Sequence, residues 1–229
     1  MNLLLVASDA REFSGLLARC NPVLPFTLPL DWSRLAHLSS YDLLLATNGA
    51  GPKRAAAAVD SALQAFEPEA VVSIGFCGAL SPDLRTADIV VGTAIAGTDR
   101  KLQVPHSSAP HRCGPVCSID HVAQTAAEKK QLYASGAIAV EMEAAGLAAR
   151  AEANSLPFYC IKAVTDLADE TMANDFNAAL RPDGHFDTMK ILTSTLRHPW
   201  LRLPELIRLH KRCVRAARVL GDFIADCRF

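Results

Sequence analysis

Between Ala137 and Glu170 two apolar runs flank an alanine-rich one, and no other stretch limits the fold as tightly. Ile138 to Val140 is short and continuous. A run of helix formers follows Glu141-Met142-Glu143 and is broken at Asn154-Ser155. Pro157 to Val164 is again nearly all apolar and ends in Thr165-Asp166. An apolar strand without alternation is covered on both faces, so the stretch is expected to be a strand–helix–strand unit of a parallel sheet. Open parallel sheets bind ligands outside the carboxyl ends of their strands. Glu141, Glu143 and Asp166 fall at that edge, and along an extended chain Glu141 and Glu143 share one side. Carboxylates so placed stabilise a cation that develops in a transition state, or protonate a leaving group once burial has raised their pKa. They serve equally well as acids at a helix N-terminus, with Asp166 as an N-cap.

The length of 229 residues suits one α/β domain with a core of its own. A net charge of −1 gives no overall bias toward nucleic acid, but the charge is uneven. Residues 196–229 form a basic C-terminal region of net +5, leaving −6 on the remainder. Seven scattered cysteines suit a reducing compartment, and the apolar run Leu3 to Ala7 is too short for a leader, so a cytoplasmic protein is expected.

The segment VEMEAAGLAARAEANSLPFYCIKAVTDLADE resembles the signature of the nucleoside phosphorylase and nucleosidase superfamily, which includes the methylthioadenosine/S-adenosylhomocysteine nucleosidases. GFCGAL followed by DLRTADIVV is similar to that family's glycine-rich loop and the segment after it. The resemblance implies a single α/β domain over 1–229, with a mixed, twisted central sheet between helices. It implies cleavage of the bond between a purine, adenine above all, and ribose. Met142 would pack on the ribose, with Glu143 and Glu141 holding its hydroxyls. Asp166 would protonate the base at N7, and Thr165 stands where the family commonly has Ser. Glu12, just after the first strand, would activate water; on spacing alone it is also the acid of a capping box, Asp9-x-x-Glu12. Cys77 and Gly78 would line the site, and backbone groups of Val122 and Ala123 would read the purine edge. The resemblance implies no metal and no cofactor, phosphate being a co-substrate if the reaction is phosphorolysis. It also implies a homodimer. Phe76 and Cys77, standing where small polar residues are common, satisfy a phosphate poorly and favour hydrolysis.

Gly97 to Cys117 reads as irregular, and His106, His111, Cys113, Cys117 and His121 match no standard zinc spacing. Gly97 to Cys117 is shorter than the insertion the family usually has there; this shortened middle, DHVAQTAAEKKQL and the C-terminal segment are similar to the hopanoid-associated members of the superfamily, which implies adenosylhopane as substrate. In the last helix Leu206, Ile207, His210, Val214, Ala217, Phe223 and Ile224 fall near one face, and Arg208, Lys211, Arg212, Arg215 and Arg218 line another. The pattern suits either a peripheral contact with an anionic bilayer or a terminal helix packed on the sheet. Two rival functions stay open: a phosphate-dependent phosphorylase of general salvage, and a non-catalytic nucleoside-binding or membrane-associated module.

Overall fold

A computed structural model describes all 229 residues. Its sheet grows outward from β1 (Asn2–Ala7), which pairs in parallel with β4 (Tyr41–Thr47) on one side and β5 (Ala70–Ala79) on the other. Beyond β4 the antiparallel strands β3 (Trp32–Leu38) and β2 (Val23–Pro25) form the edge. On its far side β5 pairs in parallel with β9 (Phe158–Asp166) and antiparallel with β8 (Ala139–Glu141). β8 continues to β7 (Arg112–Ser118), β7 to β6 (Ile89–Ile95), and β6 returns to β9. Five strands thus close on themselves, and the open sheet is fused to that ring through β5.

Strand parity sorts the core into two layers. Leu4, Val6, Leu44 and Val71 face α2 (Pro52–Ala62) and α4 (Ala144–Ala153), which present Ala58, Val59, Leu147 and Ala151. Leu3, Leu5, Leu43 and Val72 face the opposite side, covered by α1 (Ser14–Leu17) and the second half of α7 (Pro199–Asp226) through Leu16, Leu220, Phe223 and Ile224. Period-two alternation in doubly covered strands therefore yields a helix–sheet–helix sandwich. The remaining helices are α3 (Ala126–Tyr133), α5 (Phe176–Ala179) and α6 (Thr188–Arg197).

The structure corrects four expectations. β8 and β9 are not neighbours in a parallel unit: they flank β5 and run in opposite senses, because ring closure lets a short strand return antiparallel. The glycine-rich stretch after Ile74 is not a loop; β5 runs on through Gly75 and Gly78 to Ala79. Part of Gly97 to Cys117 is regular, since β7 begins at Arg112. The last helix does not carry one apolar stripe: Ala217, Phe223 and Ile224 are buried, whereas Ile207 and Val214 are exposed.

Candidate active site

Glu12 closes the 3₁₀ turn Ala10–Phe13 that follows β1. It makes no capping box. Asp9 caps the turn through Arg11 N–H, while the Glu12 carboxylate turns back to accept from Ser8 N–H at 3.0 Å and Ser8 Oγ at 3.1 Å. Gly75 lies directly against that carboxylate, at φ 134°. A Cβ there would stand 2.6 Å from Glu12 Oε2, so both space and backbone conformation require glycine. Burial, with the negative charge of Glu143 nearby, pushes the Glu12 carboxyl up to about 7; Lys162 and the Ser8 bonds oppose that rise.

Lys162 is the centre of this acidic cluster. It sits in the middle of β9, is 1% exposed, and its Nζ reaches Glu141 Oε2 at 3.1 Å, Glu143 Oε2 at 3.2 Å and the carbonyl of Ile74 at 3.3 Å. It donates hydrogen bonds to Glu143 and to the Ile74 carbonyl, and the contact with Glu141 is an ion pair. Burial would lower the ammonium's pKa, but Glu141 and Glu143 override it and hold the group well above its usual range. Burial raises the Glu143 carboxyl even beside Lys162. Its other oxygen accepts from Gly51 N–H at 3.3 Å, so the glycine turn after β4 touches this cluster.

Glu141 takes the helix N-terminal role its position suggests. Oε2 accepts from the N–H groups of Glu143 and Ala144, each at 2.9 Å, and so anchors the start of α4. Oε1 is buried with no hydrogen-bond partner, an acceptor for which the chain itself supplies no donor. Met142, between the two acids, is half-buried.

Asp166 ends β9 and is not a helix cap. Oδ2 accepts from Lys129 Nζ at 2.5 Å, and Oδ1 accepts from Thr165 Oγ1 at 3.0 Å. Thr165 Oγ1 also lies 3.3 Å from the carbonyl of Cys77, which ties the pair to β5. Gly78 permits the fit, since a Cβ there would meet Asp166 Oδ2 at 2.8 Å. Burial raises the Asp166 carboxyl, and Lys129 works against that rise. Lys129 belongs to α3, is fully buried, and donates also to the carbonyl of Leu167 at 2.7 Å. The Cys77 thiol lies between the two groups of charge: burial and then Asp166 push it well above its ordinary value, with Glu141 contributing and Lys162 opposing.

Val122 and Ala123 follow β7. Val122 N–H donates to Asn177 Oδ1 at 2.8 Å, and Asn177 Nδ2 donates to the Val122 carbonyl at 2.9 Å, so the α5 carboxamide takes both backbone groups. Ala123 is buried in a small cluster with Leu80, Ala137 and Val140. His106, His111, Cys113, Cys117 and His121 do not converge: His111 packs on Phe223, and His121 lies between Asp120 and Glu128.

The structure thus brings Glu141 and Glu143 onto Lys162 with Glu12 beside them, and holds Asp166 separately on Lys129, with the Cys77 thiol feeling the charge of both groups. Lys162, Lys129 and Asn177 are absent from the sequence reading. Lys162 had a signal, as the one charge in the apolar run Pro157 to Val164. Lys129 had none, being one of two adjacent lysines on a polar helix.

Residues 33–112 and 100–181 match the family model described as the phosphorylase superfamily. The 5′-methylthioadenosine/S-adenosylhomocysteine nucleosidase of Chromohalobacter salexigens is 26% identical over 188 residues, 68% of this chain and 80% of that protein. The enzyme of the same name from Marinomonas sp. is 25% identical over 173 residues, 61% of this chain and 74% of its own. Among solved structures, the nucleosidase from S. pneumoniae with the transition-state inhibitor MT-ImmA has a TM-score of 0.72 at 14% identity, covering 99% of this chain and 97% of that one. Futalosine hydrolase of Helicobacter pylori has a TM-score of 0.67 at 16% identity, covering 98% and 95%. At such identities the solved structures bear on the fold alone.

Proposed function

Because this chain belongs to the phosphorylase superfamily, we propose that it hydrolyses the N-glycosidic bond of an adenine nucleoside at the cluster of Glu12, Glu143 and Asp166. The observation that carries this reading is a buried carboxyl poised near neutrality, Glu12, beside Glu143 and Lys162, in a fold that also buries a second carboxyl, Asp166, against a lysine at the end of β9. As the C1′–N9 bond breaks, its electron pair passes to the base. Asp166 delivers a proton to N7, so the base leaves neutral. The sugar becomes cationic beside Glu143 and Glu141, whose fixed charge stabilises it. Water attacks C1′ and gives its proton to Glu12; the net change is nucleoside plus water to free base plus free sugar. Each Asp166 oxygen accepts one bond within the chain, which leaves a second position where the acid can carry the proton it donates to N7. The unpartnered Glu141 Oε1 is suited to a ribose hydroxyl.

Hydrolysis is favoured over phosphorolysis by charge. Four buried acids, Glu12, Glu141, Glu143 and Asp166, face two buried lysines, and both lysines are already paired with carboxylates. A phosphate dianion entering here would find no uncommitted lysine to offset its repulsion. Product identity tests this directly. Release of free sugar from adenosine, unchanged by added phosphate, is expected; a phosphate requirement with sugar 1-phosphate as product would refute it. The finer part of the reading is a large apolar 5′ substituent, as on adenosylhopane. Its test is a higher kcat/KM for 5′-alkyl adenosines than for adenosine.

Two further outcomes are expected. Glu12 must be a carboxylate to take a proton, so kcat/KM should fall as pH drops through about 7. Glu12→Gln should abolish that limb and lower the rate by about 10²–10⁴-fold. A wild-type profile flat between pH 5 and pH 9 would remove Glu12 as the base. Asn177 concerns binding. Its carboxamide offers Val122 the same acceptor and donor as adenine N1 and the 6-amino group. If Val122 reads the base, Asn177 is a competitor that must be displaced, and Asn177→Ala should lower KM by roughly three- to thirty-fold at unchanged kcat. A raised KM would place the base elsewhere.

A further inference from the structure

We infer that the elbow between α6 and α7 is a membrane-docking surface, seating on an anionic bilayer beside the Asp166 end of the site. The second half of α7 is ordinary packing: Gly15 and Gly221 bring the backbones of α1 and α7 so close that a Cβ on Gly15 would lie 2.1 Å from the Ala217 carbonyl oxygen. The first half behaves differently. Trp200 is 93% exposed, Leu196 72%, Met189 67% and Leu201 65%. On α6, Met189, Leu192 and Leu196 recur at helical spacing, as do Trp200, Leu203, Ile207 and Val214 on α7, and all seven are exposed. A soluble surface carries such side chains singly, not as two aligned rows that meet at a bend.

Charge selects the occupant. Residues 188–218 contain eight Lys/Arg and one acid, Glu205. That acid is buried, accepting from the N–H groups of Ala173 and Asn174, so no carboxylate of this segment is exposed. Arg208, Lys211 and Arg215 run beside the apolar row of α7, all exposed and none in an ion pair. A second copy of this face would bring like charges together, whereas an anionic lipid surface is complementary to both rows at once. Between them lies a groove of about 520 Å³ lined by Leu203, Ile207, Arg208, Lys211 and Arg212.

The surface adjoins the site. Arg212, at the end of that groove, pairs with Glu170 at 2.7 Å and lies 3.5 Å from the Thr165 carbonyl, one residue before Asp166. Asn174, in the loop after β9, binds the Arg202 carbonyl at 3.1 Å and Thr195 Oγ1 at 2.9 Å. The bend is therefore fastened to the loop that leads into α5 and Asn177. Docking would set the site at the lipid boundary, where an apolar substituent need not leave the bilayer.

The test is binding of the full chain to vesicles of phosphatidylcholine alone and of phosphatidylcholine with an equal part of phosphatidylglycerol. Co-sedimentation with the anionic vesicles only is expected, with a blue shift in fluorescence, because Trp200 is one of two tryptophans and the exposed one. Leu196→Ser, Trp200→Ser and Leu201→Ser combined should weaken binding by at least about ten-fold. Arg208→Glu with Lys211→Glu should do the same while leaving the Trp200 reporter in place. These variants alter exposed side chains, so an unchanged melting temperature checks the fold. No binding of the wild-type chain, binding that both variants retain, or a dimer that the triple variant dissociates would overturn the inference. None of these readouts requires turnover, so failure of the glycosidic reading leaves the result interpretable.

Discussion

Asp166→Asn is expected to lower kcat on an adenine nucleoside by about 10²–10⁴-fold, the usual worth of a positioned proton donor, while leaving the fold intact. The substitution keeps shape and removes the proton. Lys129 Nζ can still donate to the amide oxygen, and Gly78 accommodates either side chain, so the 2.5 Å contact has a natural replacement. What disappears is the group that passes a proton to N7, and the base must then leave as an anion. The loss should fall on kcat rather than KM, because the interaction is made in the transition state. It should also depend on the leaving group: nucleosides whose bases leave readily without protonation should be affected far less. Lys129→Met separates holding the acid from being it. Without the lysine, burial alone governs Asp166, its carboxyl rises further, and any activity left should extend to higher pH. Near-normal turnover by Asp166→Asn on a substrate the wild type cleaves would end the proton-donor assignment.

The parts of this site visible in the sequence are those where chemistry and chain direction coincide. Glu141, Glu143 and Asp166 close apolar runs, and a charge at the end of a buried strand is conspicuous. Glu12 was ambiguous because an acid three residues after Asp9 fits a capping box as well as a base. The path of its side chain, back to Ser8 and under Gly75, excludes the capping box. Strand order was not legible. A continuous apolar run shows that both faces are covered, not in which sense the strand runs, so the run of β8 fits a parallel neighbour as well as the antiparallel one it has in β5. The α6–α7 surface was half legible. Helical periodicity marks a stripe, but which half of a 28-residue helix meets the core depends on glycine contacts far away in sequence. Lys129 lay beyond reach: nothing local tells a lysine in a polar helix that its ammonium will be buried against a strand end 37 residues on.

Lys162→Met is expected to be the most destabilising single change in the site, costing roughly 3–5 kcal/mol because it leaves buried charge without a partner. Glu141 and Glu143 are both buried, and Lys162 is the only cation within salt-bridge distance of either. For a chain of this size that loss lowers the melting temperature by roughly 6–20 °C. The sign of its pH dependence follows from linkage. Without the ammonium, the Glu143 carboxyl, already raised by burial, rises further above its unfolded value. The folded chain then holds more protons, and the variant's stability falls as pH increases. Its deficit against wild type should therefore be smaller near pH 5 than near pH 8, and Glu143→Gln added to Lys162→Met should restore part of it. Lys162→Arg keeps the charge and should retain most of the stability. The same substitution acts on the chemistry: Lys162 holds the Glu12 carboxyl down, so its removal should move the acid limb of kcat/KM upward from about 7. A Lys162→Met protein as stable as wild type at pH 8, with that limb unmoved, would mean that the lysine does not govern the acids around it.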